Sequence, residues 1–388
     1  MAYPQLGRVT EGVYEMNSER IRAIADTLKA EILSGKYSSR SNAFPSERAL
    51  VRRFGVSRHS ISVILQELCG SGFLGRRRGS GTFLTTTARK LGRSIGLIMP
   101  SLAHGEIFPG ICNEINRCAQ QKGLTVVLGD VSASDPIVRA EQARKVAESF
   151  IAQEVGGVIF QPLAFLKEQE SVSCSILEAF DVAKIPVVLI DRDILPLSAC
   201  VARDFVGVDN FYAGRELAKH LQANGVERVA FVMRPKCPSV IGERLEGLRS
   251  ILGFPHPENV VVWELDPGSV SAVRRVLGGK KKAIRPDAFV CECDKVAVTL
   301  QQTLAELGYG VPDDFLLAGF DDVTLARCAT PALTSVHQPV SALGRIAFDT
   351  LLQRIAEPDL PPRKILLPAP LVVRRSTQRT PGNRAVSR

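Results

Sequence analysis

Arg58, His59, Ser62 and Gln66 are spaced so that one helical turn after another would present them on a single face. Between them Ile61, Ile64, Leu65 and Leu68 stand at i, i+3, i+4 and i+7. At about 100° per residue, a helix here separates the two sets onto opposite sides. One side packs, and the other offers donors and acceptors suited to phosphates and base edges in a major groove. A second cationic set, Arg76, Arg77 and Arg78, runs into Gly79-Ser80-Gly81. A hairpin turning there would carry its guanidinium groups beside phosphate or into a minor groove. Catalytic chemistry has no comparable support. No GxGxxG follows an expected strand, and no GxxxxGK[ST], HExxH or GxSxG occurs. His59, His104, His220, His256 and His337 are far apart. The only close pair among nine cysteines, Cys291 and Cys293, has no nearby histidine to complete a zinc set. The sequence therefore reads as reduced thiols, no metal, no cofactor and no enzyme.

The elements that must position these residues follow from length and patterning. At 388 residues, 45% hydrophobic and 23% charged, the chain has the composition of a globular protein of two or three domains. The longest apolar stretches, such as Ile185 to Ile190, are far shorter than the roughly 20 residues of a membrane span, and Met1 to Glu15 has no apolar signal core. A cytoplasmic location is expected. The net charge of +9 is uneven: residues 1–94 hold 16 basic and 7 acidic residues, while the rest hold 33 of each. The last 18 residues add five arginines and no acid, which leaves residues 95–370 at minus five. One basic end beside an acidic body suggests that this end meets a polyanion.

Within the basic end, Ile21, Ile24, Leu28 and Ile32 recur at helical spacing. Ser46 can cap a short helix that runs through Phe54 and stops at Gly55, and Ser57 can cap the helix carrying Arg58. Leu74 to Leu84 reads as the hairpin. Two helices around a glycine turn, followed by a wing, resemble the winged helix-turn-helix of the gluconate-repressor (GntR) family over residues 20–85. The motifs are Phe44-Pro45-Ser46-Glu47-Arg48, Gly55-Val56-Ser57-Arg58 and Arg77-Arg78-Gly79-Ser80-Gly81-Thr82-Phe83. The resemblance implies that Arg48, Ser57, Arg58, His59, Ser60, Arg78 and Gly79 lie against DNA. Ser62, Arg76 and Arg77 join them from the polar face and the wing. Ser62 stands where the family often has arginine, which removes a possible guanine contact.

Beyond residue 90, short apolar runs alternate with helical stretches: 94–100, 124–130, 157–161, 186–191, 206–209, 228–233, 259–263, 287–291 and 315–319. That alternation predicts an α/β architecture with parallel sheets. Some 280 residues imply two lobes and a crevice at the strand carboxyl ends. The region resembles the sensor domain of lactose-repressor (LacI) family regulators and periplasmic sugar-binding proteins over residues 93–373. It does so in Ser94-Ile95-Gly96-Leu97-Ile98-Met99-Pro100, Ile185-Pro186-Val187-Val188-Leu189-Ile190-Asp191-Arg192, Val206-Gly207-Val208-Asp209-Asn210, Arg244-Leu245-Glu246-Gly247-Leu248, Cys293-Asp294-Lys295-Val296-Ala297, Gly319-Phe320-Asp321-Asp322 and the run from Pro331 to Pro339. With Glu106-Ile107-Phe108-Pro109 in the first crossover, the hybrid is most similar to arabinose-responsive repressors. This resemblance places Phe108, Asp191, Arg192, Arg244, Asp294 and Gln338 at a sugar, where carboxylates accept, guanidiniums donate and an aromatic ring covers the apolar face. Asp209, Asp321 and Asp322 read instead as turn residues after strands.

The expected organisation is a flexible N-terminus (1–18), a winged module (19–86), a linker (87–93), a sensor (94–373) and a basic flexible tail (374–388). The expected function is a dimeric repressor that binds double-stranded operator DNA and has no membrane partner. A sugar effector would change the operator affinity through unequal binding to two states. Two readings stay open beside it: a purine or sugar-phosphate effector, and a binding protein whose DNA contact is incidental.

Overall fold

The computed structural model describes residues 8–33, 36–37, 44–77, 81–85, 94–100, 102, 105–163, 167–194, 203–235, 237–278 and 285–379. At the N-terminal end, three helices, α1 (Arg8–Leu33), α2 (Glu47–Phe54) and α3 (Arg58–Gly70), precede an antiparallel hairpin of β1 (Leu74–Arg77) and β2 (Gly81–Leu84). The predicted spacing is realised: Ile24, Leu28, Ile32, Leu50, Ile61, Ile64, Leu65 and Leu68 form one closed core with Leu74 and Leu84. Glu31 ties α1 to α2. Its carboxylate takes Arg53 Nη1 at 2.7 Å and the Tyr37 hydroxyl at 2.5 Å, and the Arg53 hydrogen bond holds its pKa down at about 2. The stretch expected to be a flexible N-terminus is helical from Arg8 onward, so α1 starts well before its apolar spacing becomes visible at Ile21.

The body consists of two six-stranded sheets. The first lobe has strand order β13-β7-β6-β5-β3-β4 and is wholly parallel; it contains β3 (Ile95–Ile98), β4 (Val126–Gly129), β5 (Gly157–Phe160), β6 (Val187–Ile190), β7 (Asp204–Val208) and β13 (Lys364–Leu367). The second has order β14-β12-β11-β10-β8-β9, with β8 (Val229–Met233), β9 (Val260–Glu264), β10 (Ala288–Cys291), β11 (Leu316–Asp321), β12 (Thr334–His337) and β14 (Leu371–Val372), parallel except for β14. Central strands covered on both faces must be apolar throughout, and Val158, Ile159 and Phe160 are all fully buried. Ile159 feeds the face under α4 (Ile107–Gln121) and α12 (Val340–Ala356). Val158 and Phe160 feed the face under α5 (Pro136–Ala152) and α6 (Lys167–Val182). In the second lobe α7 (Asn210–Ala223) and α8 (Ser239–Leu252) cover one face. The other carries α9 (Val270–Leu277) and α10 (Asp294–Glu306), with Phe289, Phe315 and Trp263 between.

The chain crosses between lobes three times, at 208–210, 337–340 and 367–371, because α12 and β13 return to complete the first sheet. The tail expected from 374 onward is instead fixed as far as residue 377. Ser376 and Thr377 are fully buried; the Ser376 hydroxyl donates to the Leu317 carbonyl at 2.6 Å and accepts from the Thr334 amide at 2.8 Å. The Ser376 hydroxyl thus satisfies backbone groups at the sheet that water cannot reach. The described cysteines are all free thiols, and no described helix is long and apolar enough to cross a membrane.

Candidate functional site

On the winged module, local caps fix the arrangement. Ser46 accepts from the Ala49 amide at 3.3 Å, Gly55 takes the left-handed conformation at φ 61°, and Ser57 accepts from the Ser60 amide at 3.1 Å. The Ser57 hydroxyl also lies 2.9 Å from that of Ser60, so this pair is engaged in starting α3. Arg48, Arg58 and His59 are exposed, and Ser62 is half-buried one turn on. Glu47 draws the cationic parts together, taking Arg58 Nε at 3.4 Å and Arg76 Nη2 at 3.3 Å. The first turn of α3 and the wing therefore present one face. Arg77 lies in β1, paired with Gly81, while Arg78 and Gly79 fall outside the described residues.

The second site lies at the carboxyl ends of the parallel strands. After β6, Asp191 takes a left-handed turn at φ 71°. Its Oδ2 accepts from Gln161 Nε2 at 2.8 Å and from Arg192 Nε and Nη2 at 3.1 and 3.0 Å. Arg192 is only 6% exposed. Across the crevice Arg244 of α8 is buried; it donates to Asn210 Oδ1 at 2.9 Å and to the Glu292 carbonyl at 2.6 Å, and lies over the Phe320 ring. Its Nη2 is 3.8 Å from Asp321 Oδ1, which also accepts from Gln338 Nε2 at 3.3 Å. A helix crossing without side chains holds this cation in place. A Cβ on Gly247 would meet the Phe211 carbonyl at 2.0 Å, and one on Gly214 would meet the Arg244 carbonyl at 2.2 Å. At the mouth, the Glu292 carboxylate takes Arg234 Nε at 2.5 Å and the Cys237 thiol.

Asp294 and Asp321 have surroundings that the sequence did not suggest. Asp294 is fully buried beneath the crevice floor, where it accepts from the Ser335 hydroxyl at 2.6 Å and the Val323 amide at 3.1 Å. Gly319 backs onto it so closely that a Cβ there would come within 2.5 Å of Asp294 Oδ1. Burial pushes its pKa up to about 7, the Ser335 hydrogen bond opposes this, and the charge of Asp321 adds to it. Asp294 thus welds β12 and the turn after β11 to α10. Asp321, expected as a turn residue, is the carboxylate that meets Arg244 and Gln338. Burial raises it to about 6, Arg244 and Gln338 oppose that, and the charges of Asp191 from the other lobe and of Glu292 add to it. Asp322 and Asp209 are structural as expected: Asp322 takes Arg374 Nη2 at 2.5 Å, and Asp209 caps α7 through the Tyr212 amide at 2.8 Å. Phe108 sits half-buried in the first turn of α4, packed on the core. Asn210, Arg234 and Glu292 were not singled out from the sequence. Glu292 could have been, as a carboxylate directly after the four apolar residues of β10.

Residues 20–84 match the family model described as bacterial regulatory proteins, gntR family, and residues 218–377 match a periplasmic binding protein-like domain. The chain is 27% identical over 371 residues to the arabinose metabolism transcriptional repressor of Geobacillus stearothermophilus, covering 90% of this chain and 96% of that one. It is 30% identical over 292 residues to the HTH-type transcriptional repressor PurR of Klebsiella pneumoniae, covering 73% and 80%. Among solved structures, a LacI family transcriptional regulator from Enterococcus faecalis with bound ribose superposes with a TM-score of 0.59 at 27% identity, covering 73% and 98%. A CelR-cellobiose complex superposes at 0.60, with 24% identity and coverage of 83% and 91%.

Proposed function

Because the chain belongs to the LacI-type transcriptional regulators and carries a gntR-family DNA-binding module, we propose that it is a repressor whose crevice binds a neutral sugar. The observation that carries this reading is the charge matching of the crevice. Arg192 faces Asp191, Arg244 faces Asp321 and Arg234 faces Glu292, at 3.0, 3.8 and 2.5 Å. Guanidiniums and carboxylates side by side suit hydroxyls, which donate and accept together. A phosphate would favour cations in excess over the acids around them.

In this reading Phe108, Asp191, Arg192, Arg244, Asp321 and Gln338 contact the effector, while Asp294 supports them from below. The crevice acts by binding alone. Arg48, Arg58, His59, Ser62 and the wing arginines contact the operator, and Ser57 and Ser60 start the recognition helix. The working unit is a cytoplasmic homodimer. Each sheet ends in an edge strand beside exposed apolar side chains: Leu128, Ile137 and Val138 at β4, Val262 and Phe254 at β9. Edges of that kind are normally covered. Thermal shift with neutral pentoses and hexoses, sugar phosphates and purines tests the effector class, since a ligand at 100 times its Kd adds about 2.7 kcal/mol. A neutral sugar should raise the Tm and change operator affinity in fluorescence anisotropy. A shift with phosphates or purines alone would overturn the reading.

A further inference from the structure

Two helix starts face each other between the lobes, and at neither does the residue before the helix cap it with its own side chain. α11 (Thr324–Cys328) begins after Val323, which has no side-chain acceptor, so its first amides need a partner from elsewhere. α4 begins after Glu106, whose side chain makes no cap hydrogen bond to its own helix. Instead the Glu106 carboxylate reaches the other lobe. Its two oxygens accept from the Thr324 amide at 3.2 and 3.1 Å, and Oε2 accepts from the Thr324 hydroxyl at 2.9 Å. Arg327, one turn on, donates to the Thr324 hydroxyl at 3.3 Å and keeps it turned toward the carboxylate. The residues joined lie 218 positions apart in the chain. Each is also close in sequence to a proposed effector contact: Phe108 two residues after Glu106, and Asp321 three before Thr324.

We propose that Glu106 is a positioning residue for the effector site, a latch that holds the two lobes together by supplying from one lobe the helix cap that the other lacks. Its hydrogen bonds exist only when the lobes are closed. Removing it leaves the closed geometry without its cap and shifts the population toward open molecules, and apparent effector affinity falls by the fraction lost. This inference rests on the effector reading above for its consequence, but not for the latch itself.

The test compares the full chain with Glu106→Ala and Glu106→Gln, the latter retaining one acceptor oxygen. Hydrogen–deuterium exchange is followed on peptides spanning 320–328 and 105–112, with residues 61–70 of α3 as internal control. Glu106→Ala should speed exchange at 320–328 about tenfold and leave the control unchanged, and Glu106→Gln should restore part of the protection. Unchanged exchange at 320–328 would overturn the latch. Thermal-shift titrations with L-arabinose and D-ribose form the second arm. For whichever sugar binds the parent, Glu106→Ala should need about tenfold more, and equal affinity despite faster exchange would reduce Glu106 to a local cap and overturn its positioning role. If neither sugar binds the parent, the titration is run with whichever compound of the screen above raises its Tm, and the exchange arm decides the latch in either case.

Discussion

The winged face and the crevice use the same ions in opposite surroundings. On the winged module the arginines stand in solvent: Arg58 has 83% of its side chain exposed, against a Glu47 that is 29% exposed. In the crevice Arg192 and Arg244 are 7% and 6% exposed. Exposed charges are mobile, screened by salt and ready to exchange a carboxylate for a phosphate. Buried charges are fixed by their partners, and removing one strands the other. The acids respond accordingly. Glu31, ringed by donors, is held low, whereas Asp294 and Asp321, denied water, are held high. The comparison teaches that the same side-chain chemistry serves exchangeable contact at one end of the molecule and a fixed, buried arrangement at the other.

The largest expected effect breaks the exposed half. Arg58→Ala should lower operator affinity by roughly tenfold to a hundredfold, the range for losing about 1–3 kcal/mol of base and phosphate contact, while circular dichroism stays that of the parent. Affinity should also fall with salt at a log-log slope of about −0.9 per neutralised phosphate. Anisotropy with labelled operator reads both, and parental affinity in the variant would remove Arg58 from the DNA face.

Next, Arg244→Ala and Asp321→Asn should each weaken the effector at least about tenfold, or about 1.4 kcal/mol, and leave effector-free operator binding intact. Calorimetry distinguishes this from Asp294→Ala. That variant should instead lose stability by a few kcal/mol, because the Ser335 hydroxyl and Val323 amide lose their buried acceptor. If Asp294→Ala folded as well as the parent and only lost effector, Asp294 would be an effector contact and not a support beneath the site.

The smallest effects are in pH, and they run in opposite directions. Glu31 has a lowered folded pKa, so its contribution is present above the ordinary carboxylate range and is lost as pH falls toward about 2. Asp294 is raised to about 7, so its contribution is full below the ordinary range and is lost as pH rises through about 7. Scanning calorimetry between pH 3 and 8 should show Asp294→Asn flattening the decline on the alkaline side, and Glu31→Gln flattening the loss on the acid side. The same slope in parent and variant would show that the group does not govern that limb.

Much of this was legible in the sequence because it is local. Caps at Ser46 and Ser57, the stop at Gly55 and the i, i+3, i+4 spacing of α3 require only neighbouring residues, and nine apolar runs matched strands. β12, β13 and β14 were missed for a physical reason. Three of the four residues of Thr334-Ser335-Val336-His337 are polar, and β13 alternates exposed and half-buried residues at a sheet edge. The different surroundings of Asp294 and Asp321 were invisible because identical carboxylates differ only in what roofs them, here Gly319 and Ser335 over Asp294. Ser376 and Thr377 carry no apolar signal, so a fixed segment looked like a tail.

The return of the chain to its first lobe has a consequence for synthesis. The winged module has all its core by Leu84, but the first sheet lacks α12 and β13 until residue 367 has been made. At roughly 5–20 residues per second, that gap lasts from about a quarter of a minute to a minute on the ribosome. Throughout it the nascent chain carries a finished DNA-facing module and an unfinished receiver. A stop codon placed between 90 and 340 should make the state permanent. Pull-down of such truncated chains on operator DNA, with and without sugar, would show whether they hold DNA and never answer.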